Sequence, residues 1–317
     1  MPLITVGLLN YNQGKYINFC FDSIKKVDYK NIEYIFSDDC STDNSIEIAK
    51  ASSLDQLTIL TSKNNMGVSV NANKYIRQSS GDFIAAVCCD DGFLPKKLTR
   101  QLKEFEKDST VGAVFTLPSL IDENNNPLPN EALPIFFNKN FNSRFEFLRY
   151  FFFNGNFLLG PSLMVKQSCY NKVGLYDPRL LQLQDFEMYI RMCLAGYELK
   201  LIEEPLTYYR IRNNNQNLSL KPHRSRLLYE MTLILKDHYS TINDPELLNK
   251  IFPMIPINNI YLMKFDLAQI ALKTNRQWHS LFGLDLLYQL FKSEEAIELI
   301  GKERKFYPPD LFALIND

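Results

Sequence analysis

Strand-length apolar runs alternate with helical segments over the first third of the chain, and this alternation constrains the fold more than any other feature. Five such runs occur, at residues 3–9, 32–36, 57–60, 82–87 and 111–116. Segments with helical periodicity separate them, and the connections are short. The pattern predicts an α/β fold with a Rossmann-type, mostly parallel central sheet flanked by helices.

The rest of the chain changes character twice. Residues 117–143 are loop-like, residues 145–156 are predicted to be helical, and residues 180–202 indicate a loop, a helix and a strand. After residue 220 the apolar spacing is helical. We therefore expect a first domain over 1–220 and a helical C-terminal region over 221–317.

The C-terminal region leaves several roles open. Its apolar stripes suit acceptor contacts or a homo-oligomer interface. A basic cluster at its start suits a solvated face or anionic lipid headgroups. The cluster comprises Lys221, His223, Arg224 and Arg226.

Composition excludes several classes of function. A chain of 317 residues with a formal net charge of −1 is not built to bind nucleic acid through bulk charge. Its six cysteines form no CxxC pair, and no basic region precedes the first apolar run. No apolar run reaches the roughly 18 residues of a membrane-spanning helix. We expect a cytoplasmic protein with reduced thiols, with peripheral contact at the membrane face left open.

Polar residues follow three of the predicted strands. Asn10, Tyr11 and Asn12 come after the first strand, residues 38–43 after the second, and residues 90–92 after the fourth. Ligands of parallel sheets bind outside the carboxyl ends of the strands. We therefore expect these three loops to converge on one ligand site.

Asp90 and Asp91 stand side by side at the end of the apolar run FIAAV. A divalent cation would relieve their repulsion and could bridge the oxygens of a diphosphate. All three histidines lie in the last third of the chain, so the ligands would be carboxylates, which favour Mn²⁺ or Mg²⁺ over zinc. The alternative is that one aspartate caps the following helix and the other is solvated.

The loop after the second strand offers another acidic pair. Asp38 or Asp39 could accept hydrogen bonds from a nucleobase or ribose, although the same residues also suit a turn that caps a helix. Tyr11 could lie against a base, or it could be an ordinary residue at the rim.

Four segments in order resemble the inverting family-2 glycosyltransferases of the GT-A fold, and the resemblance spans about residues 3–219. The segments are LNYNQGKYINFCFDSI, YIFSDDCSTDNSIEIA, NNMGVSVNANKYIRQSSGDFIAAVCCDD and SLMVKQSCYNKVGLYDPRLLQLQDFEMYIRM. The resemblance implies a GT-A-like sheet, a nucleotide-sugar donor and a divalent cation.

Position within these segments implies the role of each residue. The implied nucleotide contacts are Asn10, Tyr11, Asn12, Asp38, Asp39, Asn73 and Asp90. Asp91 and Asp90 would hold the metal, and Asp185 would be the catalytic base, with Arg191 supporting its helix. On the acceptor side the implied residues are Gly160, Pro161, Ser162 and Glu187, the last also a reserve base.

Four positions depart from the family's usual pattern. Cys88 stands where an acid is common, Ala72 where an arginine often precedes Asn73, and Gln184 where a glutamate is usual. Arg212 takes the place of a frequent histidine. Because a guanidinium can bind a diphosphate directly, Arg212 is the predicted diphosphate contact and metal use is less secure.

The expected chemistry is general base catalysis by Asp185. Asp185 would take the proton of an acceptor hydroxyl, a step worth roughly 10²–10⁴-fold in rate, and attack opposite the leaving group would invert the anomeric centre. The alternative for Asp185 is a helix cap.

The expected function is therefore transfer from a nucleotide sugar, first of all a UDP-sugar, to a glycan or lipid-linked glycan in bacterial polysaccharide, lipopolysaccharide or glycoconjugate synthesis. A sugar-phosphate nucleotidyltransferase is one alternative, but the loop after the first strand has a single glycine. A non-catalytic nucleotide- or glycan-binding module is the other, but Asp90, Asp91 and Asp185 are all present.

Overall fold

A computed structural model describes residues 1–129, 131, 139, 141–212 and 223–315 of the chain. Lys221 of the basic cluster lies outside these residues. Among them, no helix is both long and apolar enough to cross a membrane.

Eight strands form one sheet in the described residues. They are β1 (Ile4–Asn10), β2 (Ile32–Asp38), β3 (Leu57–Thr61), β4 (Phe83–Cys88), β5 (Gly92–Phe93), β6 (Val111–Ile121), β7 (Met164–Lys166) and β8 (Glu198–Arg210). Their order is β3-β2-β1-β4-β7-β6-β8-β5. The four strands β3, β2, β1 and β4 are parallel, and β6 and β8 are parallel to each other, whereas β7 and β5 pair antiparallel to their neighbours.

The central strand β1 is buried on both faces. Ile4, Val6 and Leu8 on one side of its pleat and Thr5 on the other are fully buried. Parallel strands covered by helices on both faces need such continuous apolar runs. The run LITVGLL is therefore the sequence signature of the sheet centre.

Apart from helix α5 (Arg144–Asn154), the described residues of Met1–Phe147 and Asn154–Lys221 contain six α-helices. They are α1 (Gly14–Lys25), α2 (Ser45–Lys50), α3 (Val68–Gln78), α4 (Lys97–Lys107), α6 (Gln167–Val173) and α7 (Gln184–Leu194). Helix α5 follows β6 in the sequence and precedes α6. The mixed α/β fold, its central sheet and its flanking helices confirm the predicted fold class.

Several predicted bounds were wrong. The segment after residue 116 is not loop from its start, because β6 continues to Ile121 alongside β8. The segment FLLGPSLMV, residues 157–165, has a sequence that predicts a strand, whereas the structure has a short 3-10 helix at Gly160–Ser162 and a strand only from Met164. The two-residue strand β5 was not predicted, since it exists only through pairing with Tyr208 and Thr207 of β8.

The chain divides into two compact units, Met1–Phe147 with Asn154–Lys221, and Leu148–Phe153 with Pro222–Asp317. The second unit is helical, as the spacing after residue 220 predicted. Its helices are α8 (Arg224–His238), α9 (Pro245–Ile251), α10 (Ile260–Leu272), α11 (Gln277–Leu290), α12 (Glu294–Arg304) and α13 (Leu311–Ile315). Phe152 of α5 lies in its core, with ring centroids 5.0–5.5 Å from those of Tyr239, Phe252 and Phe282.

Candidate active site at the carboxyl ends of the strands

The ends of β1 and β2 are joined by a buried polar network. Asn10 is paired with Asp38 across the parallel ladder. Its Nδ2 donates to Asp38 Oδ1 at 2.7 Å and to Ser41 Oγ at 3.0 Å, while Ser41 donates to Asp38 through both N–H and Oγ. Asp38 is fully buried. Its carboxylate therefore fixes the turn that follows β2.

Asp39 turns the other way, towards the start of α3. Its Oδ1 accepts from the Met66 N–H at 3.0 Å and its Oδ2 from the Gly67 N–H at 2.7 Å. It satisfies amides at a helix N-terminus, where negative charge is favoured. Both carboxylates accept hydrogen bonds from protein groups. The predicted contact of Asp38 or Asp39 with a nucleobase stays a prediction.

Tyr11 and Asn12 form the rim of this region. Tyr11 is 45% exposed, consistent with a side chain available to a ligand. Asn12 has a φ of +52°, in the left-handed region, and its Oδ1 accepts from the Thr42 N–H at 2.8 Å. Asn12 therefore ties the first loop to the second.

Asp90 and Asp91 follow β4, next to the end of β1. The Cys89 N–H donates to the Leu9 carbonyl at 2.9 Å, which places the acidic pair beside Asn10. Asp90 is 5% and Asp91 2% exposed. Asp91 Oδ1 accepts from the backbone N–H of Arg210 at 2.8 Å. The ends of β1, β2 and β4 thus converge as the sequence predicted.

Two arginines at the end of β8 supply positive charge to this pair. Arg210 is fully buried, and its Nε donates to the Asp90 carbonyl at 2.7 Å. Arg212 forms an ion pair with Asp90, with Nη2 3.2 Å from Oδ2. The reasoning from sequence missed Arg210, which could have been noticed as a cation ending the long apolar strand LTYYR.

Burial dominates the electrostatics of the cluster. It raises the pKa of Asp90, against the opposing effect of Arg212. Burial first, and then the charge of Asp90, raise the pKa of Asp91 well above its usual value. Burial, Asp90 and Asp91 together raise the pKa of the Cys88 thiol. Any further positive charge brought here would favour the ionised carboxylates.

The same three side chains fit a divalent cation. The Cys88 sulfur and one carboxylate oxygen each from Asp90 and Asp91 lie within 4.8 Å of one another. Two hard oxygen donors suit Mn²⁺ or Mg²⁺, and the sulfur is a softer third neighbour. Asp90 and Asp91 are therefore the residues that would hold the metal.

Asp185 lies in the first turn of α7, facing the 3-10 helix at Gly160–Ser162. A Cβ built on Gly160 would be 3.4 Å from Asp185 Oδ2 and 4.0 Å from the Tyr189 hydroxyl. The helix begins one residue earlier than Asp185, at Gln184, and Asp185 Oδ1 accepts from the adjacent Phe186 N–H at 2.7 Å. Asp185 is half-buried, so it can meet both protein and ligand.

Glu187 and Arg191 brace the same helix. Arg191 donates to Glu187 Oε1 at 2.6 Å and to Oε2 at 2.9 Å, and also to the carbonyls of Val173 and Leu175. Arg191 therefore supports α7, as the resemblance implied. Glu187 is engaged in an ion pair with Arg191, and the choice of Asp185 as the base, with Glu187 in reserve, stays a prediction.

Asn73 connects α3 to the loop that precedes Asp185. Its Nδ2 donates to the Tyr176 carbonyl at 2.8 Å and its Oδ1 accepts from the Tyr176 N–H at 2.9 Å. Burial raises the pKa of Tyr176 to about 12, and the groups that act on it electrostatically include both Asp185 and Cys88. The predicted contact of Asn73 with a diphosphate stays untested.

Ser162 lies deeper than the other acceptor-side residues. It is fully buried, and its Oγ donates to the Leu159 carbonyl at 2.7 Å, whereas Gly160 and Pro161 are half-buried. Ser162 therefore shapes the segment, and Gly160 is the residue that approaches Asp185.

Comparison with known proteins identifies relatives of this arrangement. The sequence model of glycosyl transferase family 2 matches residues 5–173. An uncharacterized glycosyltransferase of Methanocaldococcus jannaschii is 32% identical over 222 residues, which are 69% of this chain and 74% of that protein. The family model covers β1 to α6, including the Cys88, Asp90 and Asp91 cluster.

Solved structures share the fold over nearly the whole chain. The S. aureus TarS fragment 1–349, solved in complex with UDP-GlcNAc, matches with a TM-score of 0.61 and 17% identity, over 98% of this chain and 87% of that one. The mannosyltransferase PcManGT from Pyrobaculum calidifontis, solved with GDP-Man and Mn²⁺, matches with a TM-score of 0.60 and 16% identity, over 99% and 83%. At such identities the likeness is one of fold.

Proposed function

This chain belongs to glycosyl transferase family 2, and we propose that it transfers a sugar from a nucleotide-sugar donor to a hydroxyl of a glycan acceptor with inversion. UDP-sugars are the first donors to test, because a structural neighbour was solved with UDP-GlcNAc. The acceptor would be a glycan or lipid-linked glycan of a bacterial-type envelope polysaccharide, lipopolysaccharide or glycoconjugate. Cytoplasmic location, hexosyl or N-acetylhexosaminyl transfer and peripheral membrane contact belong to the same proposal.

Two acidic sites support the proposal: the Asp90 and Asp91 cluster with Arg212, and Asp185 beside Gly160. Strand β4 connects them, because Asp90 and Asp91 follow it and its Ala86 N–H donates to the Leu163 carbonyl, next to the Gly160–Ser162 segment, at 3.1 Å. The first suits a nucleoside diphosphate, since cations there would stabilise charge on the departing oxygens. The second suits deprotonation of an incoming hydroxyl.

A divalent cation, when bound, would supply electrostatic stabilisation of the diphosphate leaving group. Asp90 and Asp91 would hold it, and a structural neighbour was solved with Mn²⁺. Asp38, Asp39 and Asn10 would fix the loops that border the nucleoside. Asp185 would hold the proton of the acceptor hydroxyl on a carboxylate oxygen as the new bond forms.

Membership of family 2 decides against the sugar-phosphate nucleotidyltransferase. A non-catalytic module would bind a nucleotide without turning over any donor. We therefore expect that a panel of UDP-, GDP- and dTDP-sugars, assayed with and without Mn²⁺, will contain a donor that the protein hydrolyses slowly in the absence of acceptor. Proton NMR of the released sugar should then show the anomer opposite to that of the donor.

Binding without hydrolysis, or release of the same anomer, would contradict the proposal. The first result would favour the non-catalytic module, and the second would exclude a single displacement by Asp185.

A further inference from the structure

The hydroxyl of Tyr189 is a buried polar group with no hydrogen-bond partner among the residues that the structure describes. Tyr189 is fully buried in α7. Its ring packs edge-on against that of Phe115 in β6, with centroids 4.9 Å apart, so the core sets the direction of the hydroxyl. Burying a hydroxyl without a partner is costly, and such a group therefore indicates a bound water or a ligand.

The hydroxyl of Tyr189 and the carboxylate of Asp185 border the same small space. The two residues are four positions apart, so they share a face of α7. A Cβ on Gly160 would lie 3.4 Å from Asp185 Oδ2 and 4.0 Å from the Tyr189 hydroxyl. Apart from Gly160 and its chain neighbours, no other described atom comes within 4 Å of that position. We call this space, bordered by Asp185, Gly160 and Tyr189, the Gly160 notch.

The two oxygens offer complementary hydrogen bonds to an O–H group. Burial first, and then the charge of Asp185, raise the pKa of Tyr189 well above its usual value, so its hydroxyl keeps its proton and can donate. An ionised carboxylate only accepts, and each of its oxygens has more than one lone pair, so Asp185 Oδ2 can accept from a ligand alongside other contacts. A water or a hydroxyl satisfies both groups, because it donates one hydrogen bond and accepts another.

We propose that the Gly160 notch binds a single hydroxyl oxygen, which accepts from Tyr189 and donates to Asp185. This rests on the proposed function in what occupies the notch during turnover, a water in donor hydrolysis and the acceptor hydroxyl in transfer. One lone pair of that oxygen forms the bond to the anomeric carbon as its proton passes to Asp185 Oδ2. The bond from the anomeric carbon to the diphosphate breaks, and its electron pair leaves with the diphosphate. Tyr189 keeps its own proton and orients the attacking oxygen.

A crystal structure of the ligand-free protein that resolves ordered waters tests the site without any substrate. In the wild type a water should lie within about 3.2 Å of both Asp185 Oδ2 and the Tyr189 hydroxyl. It should be missing from Tyr189→Phe, which loses the donor, and from Gly160→Ala, whose methyl group fills the notch. A wild-type notch with no water between the two oxygens would overturn the proposal, as would a water that keeps its position and occupancy in Tyr189→Phe.

Thermal unfolding separates a hydroxyl kept for a ligand from one that supports the fold. Tyr239 is the matched control, because its hydroxyl belongs to an equally buried side chain but donates to the Leu148 carbonyl at 2.7 Å. Tyr239→Phe should lower the melting temperature by roughly 2–4 °C, since it leaves that carbonyl unpaired. Tyr189→Phe should lower it by less than about 1 °C or raise it. An equal fall in both variants would show that the Tyr189 hydroxyl is a structural group.

Donor hydrolysis tests whether the notch takes part in the reaction. Tyr189→Phe should reduce kcat for hydrolysis roughly three- to tenfold, the worth of one hydrogen bond, while its calorimetric affinity for the donor stays within about twofold of the wild type. Tyr239→Phe should keep the kcat of the wild type. An unchanged kcat in Tyr189→Phe would contradict the role of the notch in catalysis. If the wild type hydrolysed no donor, the proposed function would fail, and the water and the melting temperatures would still decide whether the notch binds a hydroxyl oxygen.

Discussion

At the scale of single residues, the space beside the candidate base Asp185 depends on the absence of a side chain at Gly160. Asp185 faces Gly160, and the missing side chain there leaves room beside its carboxylate. Glu187, the nearest other carboxylate on α7, is engaged by Arg191. Buried carboxylates elsewhere in the site likewise hold protein groups, as Asp38 and Asp39 do. That Asp185 meets a ligand hydroxyl stays a prediction, supported by the space beside its carboxylate at Gly160.

Gly160→Ala tests that space. The added Cβ would stand 3.4 Å from Asp185 Oδ2, an ordinary van der Waals contact that fills the space beside the carboxylate. We expect kcat for sugar transfer to fall roughly tenfold or more, because an acceptor hydroxyl kept out of that space is misplaced relative to the base. Nucleotide affinity, measured by calorimetry, should stay within about twofold. An unchanged kcat would show that the acceptor does not approach past Gly160.

Sequence reasoning succeeded for residues whose chemistry is local and failed for those that act across the fold. Asp90 and Asp91 end an apolar run, so their position at a strand end could be predicted. Arg210 contacts residues more than eighty positions away, and nothing in its own segment indicates those partners. The protein partners of Asp38 and Asp39 were unpredictable for a related reason, since the letters SDDCSTDNS fit both a cap and a ligand contact.

At the scale of elements, the parallel half of the sheet could be predicted and the antiparallel strands could not. Apolar runs and short connections through helical segments predict β1 to β4. β7 has three residues and β5 has two, so neither carries a pattern of its own. Their existence depends on pairing with β4, β6 and β8, which only the folded chain reveals.

The packing of α3 on β1 gives an element-scale prediction. A Cβ on Gly7 would lie 2.3 Å from Tyr75 Cε2, so glycine is required at the centre of β1 because a large ring of α3 lies across it. Gly7→Ala should lower the free energy of unfolding by about 1–3 kcal/mol. In a Tyr75→Ala background the same change should cost much less, giving a coupling of roughly 0.5–3 kcal/mol in urea unfolding. Additive effects would mean that the ring and the strand do not constrain each other.

The contact between α11 and α5 gives a prediction about how stability depends on pH. His279 lies between the Phe152 carbonyl, 2.7 Å from Nε2, and the Thr274 hydroxyl, 2.8 Å from Nδ1. A carbonyl can only accept, so Nε2 carries a proton and donates to Phe152. Burial lowers the pKa of His279 below its usual 6.5, although the Phe152 bond opposes this.

Stability should therefore fall as the pH drops below about 6.5, because the unfolded chain then binds a proton that the folded one does not. The loss continues until the pH reaches the lower pKa of the folded state. His279→Gln should show a smaller fall in melting temperature between pH 7.5 and pH 5.5 than the wild type, even if it is less stable at both. A parallel fall in the two proteins would exclude a neutral, buried His279.

At the scale of the whole molecule, the predicted division at residue 220 stays a proposal. The two compact units show that one earlier segment also belongs to the C-terminal part. Residues 148–153 belong to the C-terminal unit although they precede the division in sequence. Periodicity could not predict this, because the large apolar residues of α5 are not confined to one face and give no indication of its partner.

Truncation after residue 220 tests how far the first unit is independent. It would remove Tyr239, Phe252 and Phe282, which surround Phe152, and so expose large apolar side chains of α5. We expect the fragment to aggregate or to bind the dye ANS, and Phe152→Ser to improve its solubility. A soluble fragment with a sharp thermal transition and the donor affinity of the full chain would show instead that α5 needs no C-terminal partner.

The most direct measurement compares the wild type with Asp185→Asn for nucleotide binding and for donor turnover in the same preparation. The substitution keeps the size of the side chain and removes its capacity to accept a proton. With the donor identified from the panel, we predict that turnover falls at least about 10²-fold while calorimetric affinity for the nucleoside diphosphate changes less than about threefold. Turnover that survives the substitution, or nucleotide affinity that collapses with it, would contradict a donor site at Asp90 and Asp91 served by a separate base at Asp185.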